Sequence, residues 1–197
     1  DAIGDNLKEV KPEIFVAVPR VLEKIYDKVI AAGNALTGIK KKLFFWAVDV
    51  GMHFELDHTN GWWYDFQLSI ARKLVFKKWQ AAIGGNLKVI ASGSAPLQPR
   101  LQRIFWAAGI PVLEGYGLTE TSPVISVNTL GKGCAKFGTV GPLIPGVEVK
   151  IADDGEILCK GPNVMMGYYK RPDLTMEAID KDGWFHTGDI GTLVENR

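Results

Sequence analysis

The sequence predicts an α/β fold, a layered parallel-sheet subdomain followed by a small β-rich subdomain with the character of a distorted barrel. Three observations carry this expectation. Apolar runs of strand length alternate with helices opened by Pro and closed by Gly. The connections between them are short, which requires parallel strands with helices as crossovers. After about Leu130 the texture changes to period-2 alternation punctuated by Asp-Gly.

In order along the chain, IFVAV at 14–18 is a run of strand length. Pro19 opens an amphipathic helix with Val21, Leu22, Ile25 and Val29 on one face, closed at Gly33. Residues 40–84 read as two helices rich in Phe and Trp, with the turn HTNG at 58–61 between them. LKVIA at 87–91 is a buried strand, SGSAPLQP leads into a helix that Pro99 starts and Gly109 stops, and PVLEGYG is the next strand. Val147, Val149 and Ile151 alternate into Asp154-Gly155, which signals a two-residue hairpin with EILCKG returning. PDLTMEAI at 172–179 has helical spacing, and a second Asp-Gly at 182–183 precedes WFHTGDIG. The expected division is therefore 1–130 for the α/β part and 131–197 for the β-rich part.

Composition narrows the function classes. A chain of 197 residues, 47% hydrophobic, buries a sizeable core. With 23 Lys and Arg against 22 Asp and Glu, there is no overall field to attract nucleic acid, and no local basic patch replaces one. Cys134 and Cys159 are too few for a disulfide framework and wrongly spaced for a zinc site with His53, His58 or His186, so a cytoplasmic setting is expected. The longest apolar run, LFFWAV at 43–48, is far too short to span a membrane. The chain begins without Met and stops just after a motif-like WFHTGDIG, as a piece of a longer protein would.

The loop GYGLTETSP, 115–123, carries the functional argument. A dinucleotide fingerprint needs a third glycine where Glu120 stands, and a helix where Pro123 and VISV follow. A P-loop needs Ser or Thr after Gly-Lys, and Gly131-Lys132 is followed by Gly133. What remains is residue chemistry. Gly115 and Gly117 permit close backbone approach to a flat or anionic ligand, Tyr116 can stack on a base, and Thr119 can donate to a phosphate oxygen. Glu120 is one carboxylate of the kind that holds magnesium together with substrate phosphates and water.

GYGLTETSP, with SGSAPL before it and GEILCKGPNVMMGYY and GWFHTGD after it, resembles the adenylate-forming superfamily of acyl-CoA synthetases, luciferases and peptide-synthetase adenylation domains. PEIFVAVPRVLEKIYDKV and the aromatic helical section are most similar to its long-chain fatty acid CoA ligase branch. The resemblance implies an AMP-forming acid-thiol ligase that uses ATP, Mg2+ and CoA to activate a fatty acid as acyl-AMP. It further implies that Gly93, Ser94, Ala95 and Pro96 form one wall around adenine. Glu114, Gly115, Tyr116, Gly117 and Leu118 line the other, Thr119 meets the α-phosphate, Glu120 holds the metal and Asp189 binds the ribose hydroxyls. Ser94 stands where the family commonly has glycine. The family's triphosphate loop is expected before Asp1, and its hinge and lysine-bearing lid domain after Arg197.

Other residues receive structural readings. His186 is expected to face solvent from a loop, and His53 with Asp57 to form a solvated pair on a helical face. Phe66, Ile70 and Leu74 are expected to face the core with Arg72, Lys73, Lys77 and Lys78 on the solvated back, which leaves a peripheral membrane contact as the less favoured account. Homodimerisation is left open. The alternatives to a fatty acid CoA ligase are a luciferase-like or carrier-protein acyl ligase, and a non-catalytic domain that binds nucleotide or acyl chains.

Overall fold

The computed structural model describes residues 3–194. The chain forms two compact units: residues up to Glu114 joined by Leu130–Gly138, and Gly115–Thr129 joined by residues from Thr139 onward. The sequence texture changes near 130, whereas packing returns the next nine residues to the first unit. There Gln102, 1% exposed, accepts a hydrogen bond from Gly138 N at 3.1 Å, and Phe137 lies against Phe54 and Trp106 at ring separations of 6.2 and 6.1 Å.

In the first unit, α1 (Ile3–Val10) precedes β1 (Ile14–Ala17) and α2 (Pro19–Asn34). Pro19 suits the first turn of α2 because its fixed φ is helical and its missing N–H would have no intrahelical partner. The expected stop at Gly33 is displaced: the helix runs through Gly33, because the Phe44 ring fills the space where a Cβ would lie. Then follow α3 (Gly38–Met52), a 3-10 turn at Leu56–His58, and α4 (Trp62–Ala71) continuing through a π-helical turn (Arg72–Phe76) into α5 (Lys77–Ala82). Next come β2 (Val89–Ser92), α6 (Pro99–Ala107) and β3 (Val112–Tyr116). Parallel pairing is as predicted, with Ile14 opposite Val89 and Ile90 opposite Val112. Both loops that follow these strands therefore leave from carboxyl ends, where α/β sheets place ligands. Phe76, Phe105, Leu22, Ile90 and Ile104 form the centre of the core, each no more than 1% exposed.

Three side-chain expectations are corrected here. Both stripes of the α4–α5 segment have helical spacing, but the buried one is Leu68, Ala71, Val75 and Trp79, while Phe66 and Leu74 are 53% and 45% exposed. Arg72 is not simply solvated. Its guanidinium donates to the carbonyls of Ala107 and Trp106 at 2.8 and 3.3 Å, and Gln80 donates to Ala108 O at 2.8 Å. Together they satisfy carbonyls that α6 leaves open at its C-terminus. His53 caps α3 with Nδ1 2.8 Å from Asp49 O, while Asp57 sits in the 3-10 turn at φ 59°, so they form no pair on one helix face.

In the second unit, the end of β3 pairs antiparallel with β4 (Ser126–Val127), Gly115 opposite Val127 and Tyr116 opposite Ser126. A three-stranded antiparallel sheet follows, formed by β5 (Glu148–Ile151), β6 (Glu156–Lys160) and β7 (Phe185–Ile190), with α7 (Pro172–Ala178) between the last two. Ile125, Val147, Cys159 and Phe185 are its buried centre. The expected two-residue hairpin at Asp154-Gly155 is a three-residue loop. Ala152 N donates to Glu156 O and Gly155 N to Ala152 O, both at 2.9 Å, with Gly155 in the left-handed region at φ 91°. Asp180–Trp184 repeats the pattern through Gly183 N to Asp180 O at 3.0 Å and Asp180 N to Trp184 O at 2.9 Å. No described helix is long and apolar enough to cross a membrane.

Gly33 sets two effects against each other. Gly33→Ala gains about 1 kcal/mol of helix propensity, but the added methyl collides with Phe44, and overpacking costs about 1–3 kcal/mol. A net loss on the order of 1 kcal/mol is expected in denaturant unfolding; a stabilised variant would show that Phe44 moves aside without cost.

Candidate functional site

The second unit holds the loop and its neighbours. The two glycines of GYG are required first by the chain's own return. A Cβ on Gly115 would lie 3.2 Å from Ser126 O and 3.3 Å from Val127 Cγ2, and on Gly117 it would occupy the place of the Pro123 carbonyl. This is close approach of backbone to backbone, where the sequence argument had invoked a ligand. Beyond them Thr119–Thr121 form a 3-10 turn. Thr121 is fully buried; its hydroxyl accepts from Leu118 N at 2.9 Å, and its single proton has Leu118 O at 3.0 Å and Pro123 O at 2.9 Å within reach. The turn leaves Thr119 exposed and Glu120 half-buried.

Glu120 is buttressed from the GPNVMMGYY segment. Met165 N donates to its carbonyl at 2.7 Å, and the Tyr168 hydroxyl donates to Oε1 at 2.9 Å. That bond raises the Tyr168 pKa, because losing the phenolic proton beside a carboxylate is unfavourable. One oxygen of Glu120 is thus used in orienting it.

Tyr116 and Asp189 come together. The Tyr116 hydroxyl donates to Asp189 Oδ2 at 2.8 Å. Burial is the main cause that pushes the phenol upward, with the Asp189 carboxylate adding to it and the Thr187 hydroxyl opposing, so Tyr116 remains a donor throughout the neutral range. The backbone before Asp189 is anchored as well: Thr187 Oγ1 donates to Ile157 O at 2.8 Å and accepts from Asp189 N at 3.1 Å. Glu156 accepts from Gly188 N through Oε1 and from His186 Nδ1 through Oε2, both at 2.8 Å. His186 is therefore a half-buried strand residue with a carboxylate partner, and the expected solvent-facing loop histidine is corrected.

Gly93, Ser94, Ala95, Pro96 and Glu114 lie in the first unit. Ser94, Ala95 and Pro96 are exposed, and Ser94 has φ 68°. Glu114 is 4% exposed and its Oε1 accepts from Leu97 N at 2.9 Å, which fastens the end of the SGSAPL loop to β3. Burial raises the Glu114 pKa, and the Leu97 N–H partly offsets this.

Sequence reasoning missed Thr121, Glu156, Tyr168 and Thr187. Tyr168 and Thr187 stand inside recognised motifs, but their partners are 48 and 30 residues away. Only the folded chain brings such pairs together.

The model of the AMP-binding enzyme family matches residues 1–169. The chain is 39% identical over 189 residues to a long-chain-fatty-acid–CoA ligase, FadD15, of Mycobacterium bovis, covering 94% of this chain and 31% of that protein. It is 37% identical over 204 residues to long chain acyl-CoA synthetase 3 of Arabidopsis thaliana, covering 95% of this chain and 30% of that one. The chain thus spans under one third of the length of these curated relatives. Among solved structures, the adenylation domain of a carboxylate reductase from Mycobacterium chelonae shares the fold, with a TM-score of 0.67 and 24% identity over 96% of this chain and 26% of that one.

Ser94 carries backbone strain that glycine would relieve. A non-glycine residue in the left-handed region costs about 1–2 kcal/mol, and glycine gives back about 0.5–1 kcal/mol through its freedom in the unfolded chain. Ser94→Gly is expected to stabilise the protein by about 0.5–1 kcal/mol, read as a rise in the denaturation midpoint, and Ser94→Ala to give no such gain. Equal midpoints for all three proteins would mean that the loop relaxes freely.

Proposed function

This chain belongs to the AMP-binding enzyme family, and on that premise we propose that it supplies part of a long-chain fatty acid CoA ligase. In the first half-reaction a fatty acid carboxylate oxygen attacks the α-phosphorus of ATP, and the bond to pyrophosphate breaks to leave acyl-AMP. In the second, the CoA thiol attacks the acyl carbon and AMP departs. The similarity to a long-chain-fatty-acid–CoA ligase and a long chain acyl-CoA synthetase supports long-chain acids as substrates.

The observation that carries the reading is the Tyr116–Asp189 hydrogen bond. It joins, across 73 residues of sequence, the two side chains that the resemblance assigns to the base and to the ribose. Tyr116 offers a ring face to adenine while its hydroxyl orients Asp189, and the Asp189 carboxylate accepts from ribose hydroxyls. In the first unit, Gly93–Pro96 take the role of an adenine wall on the same resemblance.

Adenylation is substitution at phosphorus, in which positioning and charge neutralisation dominate. Thr119, exposed at the start of the 3-10 turn, donates its hydroxyl to an α-phosphate oxygen. Glu120 fits a magnesium ligand: one half-buried carboxylate, oriented by Tyr168, suits an ion that takes its remaining positions from phosphates and water. When bound, that ion neutralises charge on the phosphate oxygens. Neither residue needs to act as a base, because the fatty acid is already ionised at neutral pH.

Variants of the complete protein test these roles. Thr119→Val keeps the shape but removes one donor, and a loss of about 10²–10³ in adenylation rate is expected, unaffected by added magnesium. Glu120→Gln keeps the size but removes the charge; adenylation should fall and partly recover at high magnesium, while thioester formation from synthetic acyl-AMP and CoA is largely retained. If Glu120→Gln depresses both half-reactions equally and ignores the metal, Glu120 is not its ligand.

A further inference from the structure

We infer that Glu156 is a positioning residue for nucleotide recognition, acting through the backbone turn that carries Asp189. The inference rests on the nucleotide reading of Asp189 and adds to it a residue that makes no contact with the ligand itself.

The pairing of β6 with β7 is irregular. Glu156 pairs with Ile190 and Leu158 with His186, so two steps along β6 are matched by four along β7. The extra residues form a bulge at Thr187–Asp189, with Gly188 in the left-handed region at φ 73°. Bulges re-aim side chains and take amides out of the regular ladder, so these amides need other acceptors.

Two side chains supply them. Glu156 Oε1 accepts from Gly188 N at 2.8 Å, and Thr187 Oγ1 accepts from Asp189 N at 3.1 Å while donating to Ile157 O at 2.8 Å. The second oxygen of Glu156 accepts from His186 Nδ1 at 2.8 Å, so one carboxylate holds the residues on both sides of Thr187. Glu156 is itself fixed: its side chain is only 17% exposed, and its backbone N donates to Asp154 Oδ1 at 3.0 Å. The other ring nitrogen of His186 lies 3.9 Å from Asp180 Oδ2, beyond hydrogen-bond range, and leaves Glu156 as its close partner.

The consequence falls on Asp189. A hydrogen bond to a carboxylate is directional and short, and the turn it fixes sets where the Asp189 carboxylate stands relative to Tyr116. Without Glu156 the Gly188 amide loses its acceptor, the bulge relaxes towards other conformations, and only a fraction of molecules present Asp189 correctly. Apparent affinity then falls by that fraction.

A double-mutant cycle on AMP affinity, measured by calorimetry in the complete protein, tests this. Glu156→Ala is expected to weaken AMP binding about tenfold, on the order of the effect of losing a hydrogen bond to a charged group. Glu156→Gln, which keeps an acceptor for Gly188 N, should stay within about threefold of the parent. In an Asp189→Ala background, Glu156→Ala should change affinity less than about twofold, because its target is gone. If the Glu156→Ala loss is the same in both backgrounds, Glu156 acts on the fold at large and the inference fails while the nucleotide reading stands. If Asp189→Ala alone leaves AMP affinity unchanged, the nucleotide reading fails and the inference with it. Should Glu156→Ala not fold, Thr187→Val, which removes the acceptor for Asp189 N, goes through the same cycle with the same two criteria.

Discussion

The hydrogen bond between Tyr116 and Asp189 joins the two candidate nucleotide-binding side chains of the second unit, and the backbone is constrained at both of its ends. At one end, β3 pairs with its own return strand so closely that neither Gly115 nor Gly117 has room for a side chain. At the other, β7 carries a bulge whose amides are taken up by Glu156 and Thr187. A regular ladder in place of the β7 bulge would turn the Asp189 side chain elsewhere. Burial pushes the Tyr116 phenol upward, so Tyr116 is the donor and the Asp189 carboxylate the acceptor of this bond.

Three carboxylates of this unit have related surroundings. Glu120, Asp189 and Glu156 each accept from one ring-bearing side chain, Tyr168, Tyr116 and His186, at 2.9, 2.8 and 2.8 Å. A phenol orients a carboxylate without cancelling its charge, whereas an arginine would do both. For the roles proposed for Glu120 and Asp189, orientation with the charge intact is the useful combination. The exposed pair Arg171–Asp173, at 2.6 Å with both side chains more than half exposed, is the opposite case: surface ion pairs of this kind contribute about 0–1 kcal/mol.

How much of this is legible in the sequence depends on the range of each interaction. Parallel strands, the helices opened by Pro19 and Pro99 and the helical spacing at 172–179 follow from period and punctuation, which are local. Which of two helical stripes is buried does not: Phe66, Ile70 and Leu74 have the same spacing as Leu68, Ala71, Val75 and Trp79, and packing makes the choice. The hairpin at Asp154-Gly155 was legible as a turn, but its loop length was not, since the same dipeptide serves two- and three-residue loops. His186 was misjudged because its partner Glu156 lies 30 residues away across a bulge. Thr121, Glu156, Tyr168 and Thr187 all stand inside the motifs, yet their structural roles come from partners that the motif pattern does not name.

Within GYGLTETSP itself, the division between structural and outward-facing residues follows from one geometric fact. A 3-10 turn has three residues per turn, so positions three apart lie on the same side. Leu118 and Thr121 are so related, and the inward side is theirs: Leu118 N and the Thr121 hydroxyl bond each other at 2.9 Å, with Thr121 fully buried. The two positions between them, Thr119 and Glu120, must then point away. Thr119 and Thr121 are the same residue type two places apart, yet one closes the turn and the other is offered to solvent. The chemistry proposed for Thr119 and Glu120 therefore needs Thr121, because the hydroxyl that closes the turn from within is what leaves the neighbouring hydroxyl and carboxylate free to act.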